Sequence, residues 1–145
     1  MNDNIYSSTQ FVNVKCLIDK LWLVLTSPDT IKGYFNNQYV RTDWVVGHPI
    51  YWSDNRQDDP YADKGKVLEF EPMKVLSFSH WSPLTGVEDK SDNYQIISFQ
   101  LTPLENSTNL SLVISANSSQ RGVDQMARTT WKKVLLEIKK LAELA

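Results

Sequence analysis

The sequence has few of the features that cross-link a chain or anchor it in a membrane. It contains one cysteine, Cys16, which excludes an intrachain disulfide and a cysteine-based metal site and fits a reducing compartment. The longest apolar run covers only residues 21–25, whereas a membrane-spanning helix needs about 18 apolar residues. The first residues, MNDNIYSS, lack the basic and apolar regions of a signal peptide. We therefore predict a cytoplasmic protein without membrane insertion.

The sequence also lacks an excess of charge of one sign. Fifteen basic and seventeen acidic residues give a net charge of -2, which disfavours a nucleic-acid partner, because such proteins neutralise phosphates with a basic surface. The five glycines are scattered singly, so there is no glycine-rich phosphate loop. Four aspartates lie close together but lack the order of a calcium loop, and they predict a solvated loop: Asp54, Asp58, Asp59 and Asp63. No cofactor and no metal are predicted.

The 145 residues suit a single domain, residues 1–145, that needs no disulfide or metal to fold. Aromatic residues are abundant, with five Trp, six Tyr and five Phe. Residues 9–17 have the pattern of a strand. After Asp19, apolar residues recur at helical spacing and predict a first short helix. The sequence Ser-Pro-Asp at 27–29 is typical of a helix start and predicts a second short helix that ends near residues 34–35.

Turn signals divide the middle of the chain into strands separated by polar loops at 54–64 and 83–93. The predicted strands are 39–45, 49–53, 66–71, 74–81, 94–102 and 109–116. In the last two strands, apolar residues alternate with polar ones, which is typical of an antiparallel sheet with one buried face: Ile97, Phe99, Leu101, Leu110, Leu112 and Ile114. Residues 123–145 have helical periodicity and form the longest element, capped by Ser118 or Ser119.

This order of elements predicts an α+β fold in which a curved antiparallel sheet of six or seven strands wraps around a long C-terminal helix. Only that helix is large enough to cover the apolar face of the sheet, and a curved sheet around a rod leaves space for a small-molecule cavity. The alternative is a core filled by large side chains. The residues that we predict to line the cavity and bind a ligand are Trp44, Tyr51, Trp52, Phe78, His80, Phe99, Met126 and Trp131.

Four blocks of sequence, in this order, resemble a known family. They are Leu-Trp-Leu-Val-Leu-Thr-Ser-Pro at 21–28 with Tyr-Phe at 34–35, Gly-Lys-Val-Leu-Glu-Phe-Glu-Pro at 65–72, Phe-Gln-Leu-Thr-Pro at 99–103 with Thr-Asn-Leu-Ser-Leu at 108–112, and Trp131 with Leu135 and Ile138. Together they resemble the activator of Hsp90 ATPase homologue 1-like (AHSA1-like) family of the START/Bet v 1-like (SRPBCC) superfamily. The resemblance implies the helix-grip fold, with two short helices between the first two strands, and an apolar cavity.

The resemblance leaves three functions open, since a fold does not decide a function. The first is non-catalytic binding of a lipophilic or aromatic small molecule in the cavity. The second is a protein-interaction module that docks on a chaperone in a stress response. The third is a cavity enzyme of the cyclase or hydrolase type. A homodimer, formed through exposed strands or through the long helix, is also open.

Few residues have the chemistry that an enzyme would need. His80 alternates with Leu76 and Phe78 and is predicted to point inward, where it could bond a ligand or act as a base. His48 lies in a turn and is predicted to be solvated. Glu69 and Glu71 are assigned to the wet face of their strand, with Leu68 and Phe70 on the other face. Cys16 has no partner at a spacing that indicates catalysis. No catalytic residue is predicted.

Overall fold

The computed structural model describes residues 5–54 and 62–144. Over these residues the strands are β1 (Tyr6–Val14), β2 (Tyr39–Arg41), β3 (Pro49–Ser53), β4 (Asp63–Glu71), β5 (Val75–His80), β6 (Gln95–Pro103) and β7 (Thr108–Ala116). Two short helices, α1 (Ile18–Thr26) and α2 (Pro28–Tyr34), lie between β1 and β2. The C-terminal helix consists of α3 (Gln120–Met126), a π-helical segment (Ala127–Trp131) and α4 (Lys132–Glu143).

The strands form one antiparallel sheet in the order β1-β7-β6-β5-β4-β3-β2. The first strand therefore lies beside the last one, and β1 pairs with β7 from Tyr6–Ala116 to Val14–Thr108. The C-terminal helix packs on the same strand through α3 and α4. This arrangement confirms the predicted helix-grip fold, in which a curved sheet holds a long C-terminal helix.

The concave face of the sheet carries the apolar alternation that the sequence predicts. Six side chains of β6 and β7 are buried there: Ile97, Phe99, Leu101, Leu110, Leu112 and Ile114. Trp131, Val134 and Ile138 of the C-terminal helix belong to the same core. Burying one side chain of this size contributes roughly 1.5–3 kcal/mol, so these contacts hold the helix on the sheet.

Helices α1 and α2 pack against the C-terminal helix. Helix α1 begins at Ile18 behind Leu17, so Asp19 lies in its first turn instead of capping it as predicted. Ser27 occupies the N-cap position of α2 as predicted, although its side chain makes no capping hydrogen bond. The buried hydroxyl of Tyr34 donates to the carbonyl of Leu25 at 2.8 Å, which ties α2 to α1, and burial raises the pKa of Tyr34 above its ordinary value.

The middle of the chain differs from the prediction at three places. Strand β2 ends at Arg41 and not at residue 45, because Trp44 adopts a φ of 60° that a strand does not permit. Strand β4 begins at Asp63, inside the predicted polar loop, while residues 55–61, including Asp58 and Asp59, lie outside the described residues. A β-bulge between Val67 and Glu69 leaves Leu68 unpaired and exposed. Leu68 therefore does not share the buried side of Phe70 as predicted.

Gly65 makes the contact between β4 and β5 possible. A Cβ atom built on Gly65 would lie 1.7 Å from the carbonyl oxygen of Ser79, and no side chain tolerates that distance. The backbone N–H of Lys66 accordingly donates to the Ser79 hydroxyl at 2.9 Å. On either side the strands pair again, at Lys64 with Trp81 and at Val67 with Phe78.

The start of the C-terminal helix has the predicted cap. The hydroxyl of Ser119 accepts a hydrogen bond from the N–H of Gly122 at 3.0 Å. Farther along, the π-helical segment begins at Ala127 and ends at Trp131, and both of these residues are buried. Such segments inside α-helices occur frequently at functional sites. The core around Trp131 is therefore a candidate region for a site.

Candidate ligand-binding site

Six rings meet where strands β3, β5 and β6 face the C-terminal helix. This aromatic cluster consists of Phe35, Trp52, Phe78, His80, Phe99 and Trp131. Neighbouring ring centroids are 5.1 to 6.5 Å apart in tilted or T-shaped geometry, the arrangement that aromatic pairs prefer. The cluster therefore fills part of the space between the sheet and the C-terminal helix with side chains.

His80 is the polar member of the cluster, and both of its ring nitrogens are engaged. Its Nε2 lies 2.9 Å from Asp63 Oδ2, and its Nδ1 lies 3.0 Å from Gln95 Nε2. A carboxylate can only accept, so Nε2–H donates to Asp63, and the Gln95 amide N–H donates to Nδ1. The side chains of His80 and Asp63 are only 11% and 13% exposed. This Asp63–His80–Gln95 chain therefore holds the imidazole in one orientation.

A cleft of about 240 Å³ opens beside His80, between the ends of β5 and β6, the segment 82–94 and the start of the C-terminal helix. We call it the end cleft. Its lining includes His80, Trp81, Val87, Gln95, Ala116 and Met126. Small-molecule sites usually measure roughly 300–1,000 Å³, so the end cleft suits a small ligand or one end of a longer one.

Two polar atoms of residues that line the end cleft are buried without a hydrogen-bond partner among the described residues. They are the indole Nε1 of Trp81, a donor, and the amide Oε1 of Gln95, an acceptor. A buried polar group left unsatisfied costs roughly 1–3 kcal/mol. The Nε2 atom of the same Gln95 amide is already committed to His80, so the orientation of Oε1 is set. Two residues of the cleft lining thus each contain a buried polar atom without a partner, beside the aliphatic side chains of Val87, Ala116 and Met126.

Tyr94 forms the boundary of the end cleft on the side of the segment 82–94. Its ring stacks on Trp81 with centroids 6.1 Å apart, and its hydroxyl donates to Asp89 Oδ1 at 2.6 Å. Burial, together with the hydrogen bond to Asp89, raises the pKa of Tyr94 to about 12. The phenol therefore stays protonated at neutral pH and holds Trp81 in place.

The structure separates the predicted site residues into three groups. Trp52, Phe78, His80, Phe99 and Trp131 come together in the aromatic cluster, and Met126 lines the end cleft with His80. The other two lie elsewhere. Trp44 stacks on Phe70 at 5.5 Å, and neither belongs to the lining of the end cleft. Tyr51 is on the outer face of the sheet, since its neighbour Trp52 points into the core.

Sequence reasoning missed Asp63 and Gln95. The signal for Gln95 was present, because it continues the inward alternation of Ile97 and Phe99. Asp63 lies where the sequence predicts a solvated loop, and the local pattern does not indicate its partner His80, which is 17 residues away on another strand. Trp81 ends the predicted strand 74–81 and belongs to the aromatic residues that could line a pocket, although it is not among the eight predicted ligand-binding residues.

The remaining candidates have no role in the end cleft. His48 is exposed, as predicted, and pairs with Asp43 at 2.7 Å. That hydrogen bond lowers the pKa of Asp43. Glu69 accepts from Ser77 on the outer face. Burial raises the pKa of Cys16, so its thiol is a poor nucleophile. Within residues 5–54 and 62–144, no group of three or more possible ligands could hold a metal ion.

None of the helices in the described part of the chain is long and apolar enough to cross a membrane.

The helix-grip architecture, in which the curved sheet holds the C-terminal helix, defines the class as START/Bet v 1-like. A family model confirms the more specific resemblance. The model described as "Activator of Hsp90 ATPase homolog 1-like protein" matches residues 15–143, and the chain therefore belongs to the AHSA1-like family.

Solved structures with the same fold include several bacterial proteins. ChR145 from Cytophaga hutchinsonii is 29% identical, with a TM-score of 0.76 and coverage of 99% of this chain and 96% of that one. The Aha1 dimer from Colwellia psychrerythraea is 22% identical, with a TM-score of 0.72 and coverage of 95% and 96%. CalU16 from Micromonospora echinospora is 20% identical, with a TM-score of 0.72 and coverage of 94% and 74%. No curated protein matches the sequence.

Proposed function

We propose that the protein binds a small, mostly apolar or aromatic molecule in the end cleft and does not transform it. The observation that carries this proposal is the unpaired donor and acceptor, Trp81 Nε1 and Gln95 Oε1, at residues that line one cleft. A hydroxyl group both donates and accepts, so one phenol or alcohol would satisfy the two atoms together. The ligand class that we propose is therefore a neutral aromatic or aliphatic alcohol.

The apolar part of the ligand would contact the walls of the cleft. Val87, Ala116 and Met126 supply aliphatic surface there, and His80 presents the edge of the aromatic cluster. Methionine adapts its shape to irregular ligands and packs well on aromatic rings. These residues would position the ring or chain of the ligand while Trp81 and Gln95 orient its hydroxyl.

The hydrogen bonds of His80 favour binding over catalysis. A general base needs a free ring nitrogen within reach of the proton that it removes. In His80, Nε2 donates to Asp63 and Nδ1 accepts from Gln95, so neither nitrogen is available to a substrate. The imidazole serves as a fixed part of the wall, and a cyclase or hydrolase role has no base at this position.

The proposal is tested with 1-naphthol and naphthalene, which share a ring system but differ in the hydroxyl group. We expect Trp81→Phe to lower the affinity for 1-naphthol about fivefold, because it removes the indole donor but keeps a ring. The affinity for naphthalene should change little. Isothermal titration calorimetry measures both. Trp44→Phe is the matched control, since Trp44 packs on Phe70 and not in the cleft. Equal affinity of wild type and Trp81→Phe for 1-naphthol would overturn the proposal.

Family membership favours a second candidate, docking on an Hsp90-type chaperone. Leu17 and Leu23, at the cap of α1 and within it, are 63% and 61% exposed and offer apolar surface to such a partner. Stimulation of the ATPase rate of purified Hsp90, reduced by Leu23→Asp, would support this role. A cytoplasmic location, a role in a stress response and a homodimer remain predictions.

A further inference from the structure

We propose that the outer face of the sheet carries a second binding site, which takes an aromatic or apolar carboxylate. The site is a groove of about 530 Å³, within the size range of small-molecule pockets. We call it the outer groove. It runs across β3 to β6, and its lining includes Tyr51, Lys66, Leu68, Ser79, Tyr94 and Ile96.

Strand register places the outer groove on the side of the sheet away from the aromatic cluster. Tyr51 pairs with Lys64, and the next pair along the two strands is Trp52 with Asp63. Trp52 and Asp63 face the interior, where they contact His80. Since successive side chains of a strand point to opposite faces, Tyr51 and Lys64 face outward. Among the described residues, the groove shares one lining residue, Tyr94, with the end cleft.

The floor of the outer groove is apolar. Leu68 and Ile96 line it and are each 37% exposed. Leu68 is the residue that the bulge in β4 leaves unpaired, and bulges commonly re-aim side chains next to functional sites. Tyr51 adds an aromatic wall. A flat apolar body would bury this surface.

One border of the groove is held in place by a carboxylate. Asp89 accepts from Lys64 Nζ at 2.5 Å and from the Tyr94 hydroxyl at 2.6 Å. These bonds lower the pKa of Asp89. The segment 83–94 is thereby fixed over the outer face, and the charges of Asp89 and Lys64 cancel each other. Neither group is then available to select the charge of a ligand.

Lys66 supplies the charge that selects the ligand. It lines the groove, and its ammonium group has no acidic partner among the described residues, whereas Lys64 on the same face is paired with Asp89. The described part of the groove thus has one uncompensated positive charge over an apolar floor. This combination is complementary to a molecule with a ring or chain and a single carboxylate.

The test uses 1-naphthoate as the probe and ¹H–¹⁵N correlation spectra of the full chain as the readout. We expect 1-naphthoate to shift the amide signals of Leu68, Ser79 and Ile96, while the signal of Ala116, in the end cleft, stays in place. Lys66→Glu should weaken binding by about fivefold or more, because it replaces attraction by repulsion. Lys74→Glu is the matched control, since Lys74 lies in the exposed turn between β4 and β5. The two variants have the same net charge.

Two outcomes would overturn the inference. One is that 1-naphthoate shifts only signals around His80 and Gln95, in which case the outer groove is not its site. The other is that Lys66→Glu and Lys74→Glu weaken binding equally, which would show a general charge effect. Because Lys66 does not line the end cleft, binding of 1-naphthol should be the same in Lys66→Glu as in wild type. This result would also show that the variant is folded.

Discussion

The end cleft and the outer groove are built on the same two strands but present different chemistry. On β5, His80 faces the cleft and Ser79 faces the groove, and on β6, Gln95 faces the cleft and Ile96 faces the groove. Residues that line the cleft contain a buried, unpaired donor and acceptor, whereas the groove has one ammonium group over aliphatic side chains. A step of one residue along a strand therefore moves a side chain from one candidate site to the other.

The two sites also differ in how their polar groups are held. In the cleft, the Asp63–His80–Gln95 chain is mostly buried, so each of its hydrogen bonds lies in a medium of low dielectric constant. Around the groove, the side chains of Lys64 and Asp89 are 39% and 40% exposed, and water screens their attraction. We infer that a substitution that breaks the buried hydrogen bonds beside the cleft lowers the free energy of unfolding more than a substitution that breaks the exposed ion pair beside the groove.

The largest effect is expected for a change that disturbs both sites at once. Gly65→Ala would place a Cβ atom 1.7 Å from the Ser79 carbonyl oxygen, so β4 and β5 would have to separate. We expect the free energy of unfolding to fall by about 3 kcal/mol, as measured by urea denaturation. In the control Gly86→Ala the new Cβ meets no atom within 4 Å, and only its positive φ costs about 1–2 kcal/mol. A wild-type midpoint for Gly65→Ala would contradict this account.

A smaller effect, confined to the end cleft, is expected from Asp63→Ala. It leaves the buried Nε2–H of His80 without an acceptor, and the free energy of unfolding should fall by about 1–3 kcal/mol. The exposed pair of Asp43 and His48 has the same chemistry at 2.7 Å, and Asp43→Ala should change stability little. Chemical denaturation at pH 7 compares the two variants. Equal losses would show that burial is not what distinguishes the pairs.

The smallest effect, confined to the outer groove, is expected from Asp89→Asn. Hydrogen bonds from Lys64 and then Tyr94 lower the pKa of Asp89 below its ordinary value of 3.8. The carboxylate therefore stabilises the folded state above pH 3.8, and this contribution is lost as the pH falls through the lower, folded value. Wild type should be the more stable protein at pH 6, and the difference should vanish in strong acid.

Thermal unfolding at a series of pH values follows this difference between wild type and Asp89→Asn. Glu88→Gln is the control, since Glu88 is 76% exposed and lies 3.6 Å from Lys90. It should match wild type throughout. A difference for Asp89→Asn that persists unchanged into strong acid would mean that its ion pair is not the cause.

The local sequence pattern was sufficient to predict the long strands and the C-terminal helix. The alternation at Ile97 and Phe99, the helical spacing of Val134 and Ile138, and the cap at Ser119 all predict what the structure contains. Each of these signals depends on residues that lie close together in the sequence. Such signals are readable because a strand repeats every two residues and a helix every 3.6.

The site was only partly predictable. Alternation alone separates Tyr51 from Trp52, so the prediction that both line one cavity overlooked a signal that the sequence contained. The positive φ of Trp44 and the bulge at Leu68 had no readable signal, because both depend on what packs around them. The same holds for the pairing of Asp63 with His80.

By itself the sequence determined the fold class, the buried face of each long strand and the helix that covers the sheet, because burial of apolar surface favours one arrangement of a strongly periodic chain. Only the tertiary structure decided which polar atoms meet. His80 is brought to Asp63 and Gln95 by strand pairing over 17 and 15 residues, and Lys64 is brought to Asp89 by a segment that folds back over the sheet. Hydrogen bonds and ion pairs act over a few ångströms, so contacts between distant residues exist only after the strands have taken their register.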